Sequence, residues 1–412
     1  MSDIAEPEIG LWQWMEEVAR EVMRRHGFGE LRTPLVEYEG VFTRSIGNTT
    51  DVVQKEMYGF ERGGRHLCLR PEGTAGVMRH AAGIGPIEAA GARWFYIGPM
   101  FRCERPQAGR KRQFHQCGVE CLEEPSPLVD AEILSLQMAL LSAWGIQDCE
   151  VHLNTRGAAG EQTAVAAGLR AALAGHESEL CEDCQRRISE NVLRVLDCKQ
   201  PGCAERVRQL PPVTSFMGEE SQRYLEAVET HLSAMAIPFH RDGLLVRGLD
   251  YYEHTIWEIT GRRAGSQSAL AGGGRYRIQL GNHAWAGVGF AIGMERVIQL
   301  LQEDSTAAAN RSGKPALLWL VGLGDEAQAQ NLVLMQQLRA AGLACRMAPG
   351  GSMKSQMRAA NKAGATLTLL RGESELAAHS VQIKNMTSGE QHEDAVDASL
   401  PSRLLEQVRA NP

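Results

Sequence analysis

The segment Phe101–Glu120, FRCERPQAGRKRQFHQCGVE, carries the residues with the clearest chemical use. Arg102 closes a strand-like run, and Arg110 lies among the cations of the loop that follows. Gln116 and Glu120 return on a second strand-like run. A guanidinium stays charged and its planar fork grips phosphate through two hydrogen bonds. Side chains four apart on a strand point to the same face, so Gln116 and Glu120 face one ligand together. A phosphate clamp beside an amide and a carboxylate suits a nucleotide next to a small cationic molecule. That pairing suggests activation of an amino acid by a nucleotide.

Three more blocks follow the same logic: LRPEGTAG (Leu69–Gly76), LVRGLDYYEHTIWEI (Leu245–Ile259) and GVGFAIGMER (Gly287–Arg296). The glycines of the last block do not sit in a strand–helix–strand context, so a dinucleotide fingerprint is rejected. Taken in order, the four blocks resemble those of class II aminoacyl-tRNA synthetases, in the form found in the histidyl-tRNA synthetase family. Phe101–Glu120 resembles motif 2 and Gly287–Arg296 resembles motif 3. The resemblance runs over nearly the whole chain. It implies a histidine–tRNA ligase reaction in two steps. The carboxylate of histidine attacks the α-phosphate of ATP, giving histidyl-adenylate and pyrophosphate. Histidine then passes to the 3′ end of histidine tRNA. ATP enters with Mg2+.

The resemblance also implies roles for single residues. Arg102 holds the α-phosphate, Arg296 the phosphate tail, and Arg110 the β- or γ-phosphate side. Arg247, in RGLDYY, contacts both the substrate carboxylate and the α-phosphate, so Arg247 and Arg102 are the catalytic pair. It supplies charge where other class II enzymes use a metal ion. Read without the blocks around it, Arg247 is a structural arginine paired with Asp250 or Glu253. The histidine site comprises Glu72, Gly73, Thr74, Gln116, Glu120, Arg247, Tyr251 and Tyr252. Glu72, Thr74 and Gln116 take the α-ammonium. Glu120 and Tyr252 take the two imidazole nitrogens, and Tyr251 lines the pocket. An acceptor on one nitrogen and a hydroxyl on the other suit a ring that both donates and accepts. The bland alternative makes the two tyrosines core aromatics and Glu120 an ion-pair member.

The elements that must position these groups are readable from periodicity. A helix is predicted over the stretch holding Leu11, Trp14, Met15, Val18, Ala19, Val22 and Met23, stopped by Gly27 and Gly29. Strands are predicted at Thr33–Tyr38, Arg93–Ile97, Phe114–Glu120 and Glu150–Asn154, and a helix at Leu128–Trp144. Hairpin-connected neighbours favour an antiparallel sheet. Alternating strands and helices after residue 315 predict a small α/β domain with a mainly parallel sheet. The expected fold class is thus multidomain α+β and α/β. It combines a class II antiparallel-sheet catalytic core, a helical insertion and a C-terminal α/β anticodon-binding domain. The expected boundaries are 1–156 for the first part of the core, 157–238 for the insertion and 239–302 for the second part. A linker at 303–314 and an anticodon-binding domain at 315–412 complete the chain.

At 412 residues the chain is too long for a single core. A hydrophobic share of 43% and a charged share of 23% are those of a soluble globular protein. No apolar run approaches the ~20 residues of a membrane span, and no secretory leader opens the sequence. A cytoplasmic protein with no membrane association is expected. The net charge of −7 argues against a general basic coat for nucleic acid but leaves room for local tracks. Gln107 and Arg112, in the motif 2 loop, are the candidates for reading the tRNA acceptor end. Lys354, Arg358 and Lys362 recur every fourth residue and make one cationic stripe on a helix. Resemblance to anticodon-binding domains turns that stripe toward RNA; a plain solvated helix face is the alternative. The Thr33–Tyr38 region resembles motif 1 and implies a homodimer.

The ten cysteines are expected to be reduced. Cys181-x2-Cys184 followed by Cys198-x4-Cys203 has approximate zinc-ribbon spacing. Unliganded thiols are the expected reading and structural zinc the alternative; no metal is assigned to the catalytic site. Two departures from the family pattern stand out: Arg277-Ile278 follow GGGRY with a shortened stretch before Gly287, and His254 stands where arginine is common. The shortened stretch supports the competing reading, a weak or inactive synthetase-like regulator that binds histidine or tRNA. A prolyl, threonyl or glycyl enzyme is disfavoured by the Arg247–Tyr252 block.

Overall fold

The structure, a computed structural model, describes residues 3–47, 50, 52–104, 111–261, 269–280, 282–303 and 316–410. The chain divides into two compact units, Met1–Ala308 and Ala309–Pro412. In the first unit the strands, in chain order, are β1 (Gly29–Glu30), β2 (Val36–Tyr38), β3 (Gly59–Arg62), β4 (Arg65–Leu69), β5 (Arg93–Phe101), β6 (Gln113–Cys121), β7 (Cys149–Thr155), β8 (Phe239–Arg241), β9 (Tyr252–Gly261), β10 (Ala269–Leu280) and β11 (His283–Gly293). Its helices include α1 (Glu8–Arg25), α2 (Glu39–Ile46), α3 (Thr74–Ile84), α4 (Pro86–Ala89), α5 (Pro127–Ala143), α6 (Gln162–Leu173), α7 (Glu182–Glu190), α8 (Pro201–Val207), α9 (Glu219–Ala234) and α10 (Met294–Glu303).

An eight-stranded sheet in the order β1-β5-β6-β11-β10-β9-β7-β8 organises this unit. Pairing is antiparallel from β5 through to β7, and only the edge strands β1 and β8 join in parallel. Consecutive strands such as β5–β6 and β10–β11 pair as hairpins, which needs no crossover helix. One face carries Val119, Val288, Phe290, Ile292, Trp257 and Ile259 and is covered by α1, α5, α9 and α10. Alternation sends Gln116, Gly118, Glu120, Gly272, Gly274, Tyr276 and Gly289 to the other face, where α2 and α3 pack around an open floor. The site-facing positions are therefore poor in bulk, which makes that face concave.

Helix α1 ends where Gly27 takes φ +77°. Its buried tryptophan is Trp12 rather than Trp14; the Trp12 Nε1–H donates to Glu8 Oε1 at 2.9 Å and its ring meets His115 edge-on. The insertion's own core contains Val165, Leu169, Cys184, Val195, Cys203 and Val213. Helix α9, by contrast, sends Leu225, Val228 and Leu232 into the core under the main sheet. The shortened stretch after Tyr276 is the tip of the β10–β11 hairpin, whose pairing runs to Leu280–His283. Gly272–Gly274 lie well inside that hairpin.

The second unit carries β12 (Leu317–Gly322), β13 (Ala344–Met347), β14 (Leu367–Arg371), β15 (Ser380–Asn385) and β16 (Gln391–Ala395). Its helices include α11 (Asp325–Ala340), α12 (Met353–Lys362), α13 (Glu373–Ala377) and α14 (Leu400–Ala410). The sheet order is β13-β12-β14-β15-β16. The first three strands are parallel, but β15 and β16 run antiparallel. The mainly parallel expectation thus holds for half of the sheet. The link from Arg371 to Ser380, with its short α13, falls below the dozen or so residues of a parallel crossover. Among the described residues no helix is long and apolar enough to cross a membrane.

Candidate active site

Glu72 sits just before α3 and is buried. Its carboxylate oxygens accept the backbone N–H groups of Thr74 and Ala75, each at 2.8 Å. This fixes the start of the helix and aims the Thr74 hydroxyl at β6, where it donates to Glu120 Oε1 at 2.6 Å. Gly73 between them lies under the Tyr96 ring, where a Cβ would come within 2.2 Å of Tyr96 Cζ. Burial pushes the Glu120 carboxyl up to about 8, and burial raises Glu72 as well.

Gln116 Oε1 and Arg247 Nε are buried polar atoms with no hydrogen-bond partner within the described chain, and the buried Glu120 carboxyl and Tyr276 hydroxyl interact with each other without a well-aligned hydrogen bond. Leaving such groups unpaired costs roughly 1–3 kcal/mol each. Their residues converge on one enclosed pocket, which Glu72, Thr74, Tyr251 and Tyr252 also line. The Tyr251 and Tyr252 rings pack with centroids 4.8 Å apart. Two glycines make room for the polar groups. A Cβ on Gly272 would lie 2.4 Å from Arg247 Nη1, and one on Gly289 would lie 2.3 Å from Glu120 Oε2.

A second cavity, of about 270 Å³, shares Arg102, Gln116 and Arg247 with this pocket and is also lined by Lys111, Glu295 and Arg296. Arg102 Nε–H donates to the Pro71 carbonyl at 2.9 Å, and its guanidinium lies over the Phe114 ring. Arg296 donates to the carbonyl of Ala269. Glu295 accepts both the backbone N–H and Nδ1 of His115, which ties α10 to β6. Arg247 Nη1 pairs with Glu258 Oε2 at 2.9 Å. That corrects the sequence-adjacent partners: Asp250 accepts from Asn191 at 3.1 Å, and Glu253 pairs with Arg277 at 3.2 Å. The cause lies in β9, which uses four steps from Tyr252 to Ile256 where β10 uses two from Tyr276 to Gly274. His254 takes φ 45° in this bulge and stacks on Tyr224, and burial lowers its pKa. Glu258 then sits opposite Gly272, beneath the guanidinium.

The structure therefore brings together Glu72, Gly73, Thr74, Arg102, Gln116, Glu120, Arg247, Tyr251, Tyr252 and Arg296. Arg110 and Gln107 lie outside the described residues. Arg112 is exposed at the start of β6, where its carbonyl accepts the Arg102 N–H at 2.9 Å. Lys354, Arg358 and Lys362 are all exposed on α12 of the second unit, while Gln356 and Ala360 form its buried side. Sequence reasoning missed Tyr276, Tyr96, Glu258 and Glu295 as lining residues. Tyr276 carried a signal through the glycine run before it, and Glu258 and Glu295 lie inside the Leu245–Ile259 and Gly287–Arg296 blocks, whereas Tyr96 carried none. Burial pushes the thiols of Cys117 and Cys121 up to about 12, so they stay protonated near neutral pH.

Known proteins agree with this geometry. Residues 1–297 match the family described as histidyl-tRNA synthetase, and residues 318–406 match the family described as anticodon binding domain. A histidine–tRNA ligase of Solidesulfovibrio magneticus is 44% identical, covering 98% of this chain and 96% of its own length. That of Moorella thermoacetica is 42% identical, covering 95% and 93%. The crystal structure of apo S. aureus histidyl-tRNA synthetase superposes with a TM-score of 0.80 at 30% identity, over 98% of this chain and 97% of that one. The chain belongs to the histidyl-tRNA synthetase family.

Proposed function

We propose that this chain is a histidine–tRNA ligase, which activates histidine with ATP and transfers it to histidine tRNA. The observation that carries the reading is the set of buried, incompletely satisfied polar groups around one pocket, on Gln116, Glu120, Arg247 and Tyr276. Histidine offers what they lack: an ammonium, a carboxylate and two ring nitrogens. Gln116, with Glu72 and Thr74 beside it, receives the ammonium. Glu120 receives a ring N–H and Tyr252 serves the other nitrogen. A pocket built on such bonds rejects apolar isosteres strongly.

ATP, with its magnesium, occupies the adjoining cationic cavity. Arg102 and Arg296 hold its phosphates and, with Arg247, neutralise the charge that grows on the α-phosphate oxygens during attack. Fixing both reactants in line supplies the rest of the acceleration. Arg110, Gln107 and Arg112 extend this track toward the tRNA end, and Lys354, Arg358 and Lys362 serve RNA contact in the second unit. Exposed Leu35, Val36, Tyr38 and Phe60 favour a second copy of the chain as cover, so a homodimer is the working assembly; sedimentation of a monomer at micromolar concentration would count against it. A cytoplasmic location accords with these substrates.

Pyrophosphate exchange into ATP, with each amino acid supplied in turn, tests the reading. Exchange with histidine alone is expected. Exchange with proline, threonine or glycine instead would overturn the substrate, and histidine binding without exchange would favour a regulator. The near full-length likeness to ligases weighs against that second reading.

The raised Glu120 carboxyl makes a further expectation. A free glutamate titrates near about 4.3, so between there and about 8 the folded chain holds a proton that the unfolded chain has lost. That part of the stability falls as pH rises through this window. A ring N–H bonds the ionised carboxylate more strongly than the neutral acid. Histidine binding near pH 7 should therefore be accompanied by proton release from this carboxyl. Calorimetry in buffers of different ionisation enthalpy reads this directly. Buffer-independent heats in the unaltered protein, or release that persists in Glu120→Gln, would remove Glu120 from that role.

A further inference from the structure

The four cysteines of the insertion converge although they come from different elements. Cys181 precedes α7, Cys184 lies in its first turn, Cys198 follows a short 3-10 turn at Val192–Val195, and Cys203 lies in α8. Their sulfur atoms all lie within 4.8 Å of one another. Four thiolates around a single zinc at about 2.3 Å sit about 3.8 Å apart, by tetrahedral geometry. The Cys181 and Cys198 sulfurs are 3.9 Å apart, close to that edge and too far for a disulfide bond. The backbone N–H of Cys181 points at Cys203 Sγ at 3.2 Å, a contact that stabilises a thiolate. Cys184 and Cys203 are buried, while Cys181 and Cys198 reach a solvent-facing cavity that offers an entry path.

The surrounding fold has a use for such a staple. Helices α6, α7 and α8 are short, at 12, 9 and 7 residues, and enclose a small core of their own. Units this small commonly need a metal or a disulfide to hold them. Arg187, Arg194 and Lys199 line the same cavity as Cys181 and Cys198, together with the carboxylates of Glu182, Asp183 and Asp197. The geometry points to a structural zinc site formed by Cys181, Cys184, Cys198 and Cys203. Binding displaces the four thiol protons to solvent and changes no oxidation state. The ion ties the Asn191–Cys198 segment to both short helices. It thereby steadies Asn191, whose side chain donates to Asp250 within the Arg247–Tyr252 block. No residue of the site itself doubles as a catalytic group.

Metal analysis of the purified full-length chain, grown with zinc and kept reduced, tests this. About one zinc per chain is expected. After chelation and reconstitution with cobalt(II) alone, the chain should show thiolate charge-transfer and tetrahedral d–d absorption. Cys198→Ser should lose both the tightly held zinc and the cobalt spectrum, and Cys149→Ser, outside the cluster, should keep them. If Cys198→Ser does not fold, the unaltered chain still decides. No stoichiometric zinc or cobalt together with four freely titrating thiols would overturn the site. So would disulfides in place of those thiols, or equal metal loss from Cys149→Ser.

Discussion

Replacing Arg247 by alanine is expected to cut adenylate formation by at least ~100-fold, the scale of losing one transition-state charge contact, and to weaken histidine binding far less. The guanidinium has two ways to be useful, and they separate experimentally. It pairs with Glu258, and it reaches the floor of the site over Gly272. If the pair with Glu258 were its whole purpose, Glu258→Ala would cost as much exchange activity as Arg247→Ala. If Arg247 acts on the reacting phosphate, the arginine variant alone should lose the chemical step. Near-normal pyrophosphate exchange by Arg247→Ala would end its catalytic assignment. Arg247→Lys should recover little, because an ammonium cannot reproduce a planar two-pronged contact.

The largest stability effect is expected at Asp130. Its side chain and that of Arg275 are both fully buried, and the carboxylate meets the guanidinium at 2.6 Å. Oδ2 of Asp130 also accepts from the Thr255 hydroxyl at 2.6 Å and the Tyr224 hydroxyl at 3.0 Å. Arg275 Nη1 donates to the Glu123 carbonyl at 2.6 Å. One carboxylate thus joins α5, β9, β10 and α9. Asp130→Ala strands a guanidinium in the core, which costs about 3–5 kcal/mol. Replacing both partners by apolar residues of similar volume should cost far less, since no charge is left behind. Denaturant unfolding followed by tryptophan fluorescence reads mainly the first unit, because every tryptophan but Trp319 lies there. A shift below ~1 kcal/mol for Asp130→Ala would show that water reaches the arginine.

These two arginines also mark how far the sequence could be read. Alternation was enough to put Gln116 and Glu120 on one face, because a strand's period of two is nearly independent of its surroundings. Helical spacing was enough for α1 and α5, though it chose Trp14 over Trp12 by ignoring the hydrogen bond to Glu8 that lets Trp12 turn inward. The partner of Arg247 was out of reach. Nearby Asp250 and Glu253 looked natural, but a bulge in β9 and the β9–β10 register select Glu258. The Asp130–Arg275 pair lies 145 positions apart and carries no local signature. The four cysteines showed a suggestive spacing, but only the fold brings two short helices and a turn to one point. In the second unit, strand and helix order was legible, while the return direction of β15 depended on the length of one connection.

The pairing of β7 with β9 sets Thr155 against Thr255, across the whole insertion. The pairing of β6 with β11 sets Glu120 against Gly289. Both contacts require long loops to close before any ligand group is complete, and such closures are slow steps in assembly. During synthesis, the stretch containing Gln116 and Glu120 leaves the ribosome long before its opposite wall exists. A partly made chain is therefore expected to lack a complete histidine pocket. In refolding, histidine binding should return with the last phase, after helical signal has recovered; binding that returns with the first phase would show a preformed half-site.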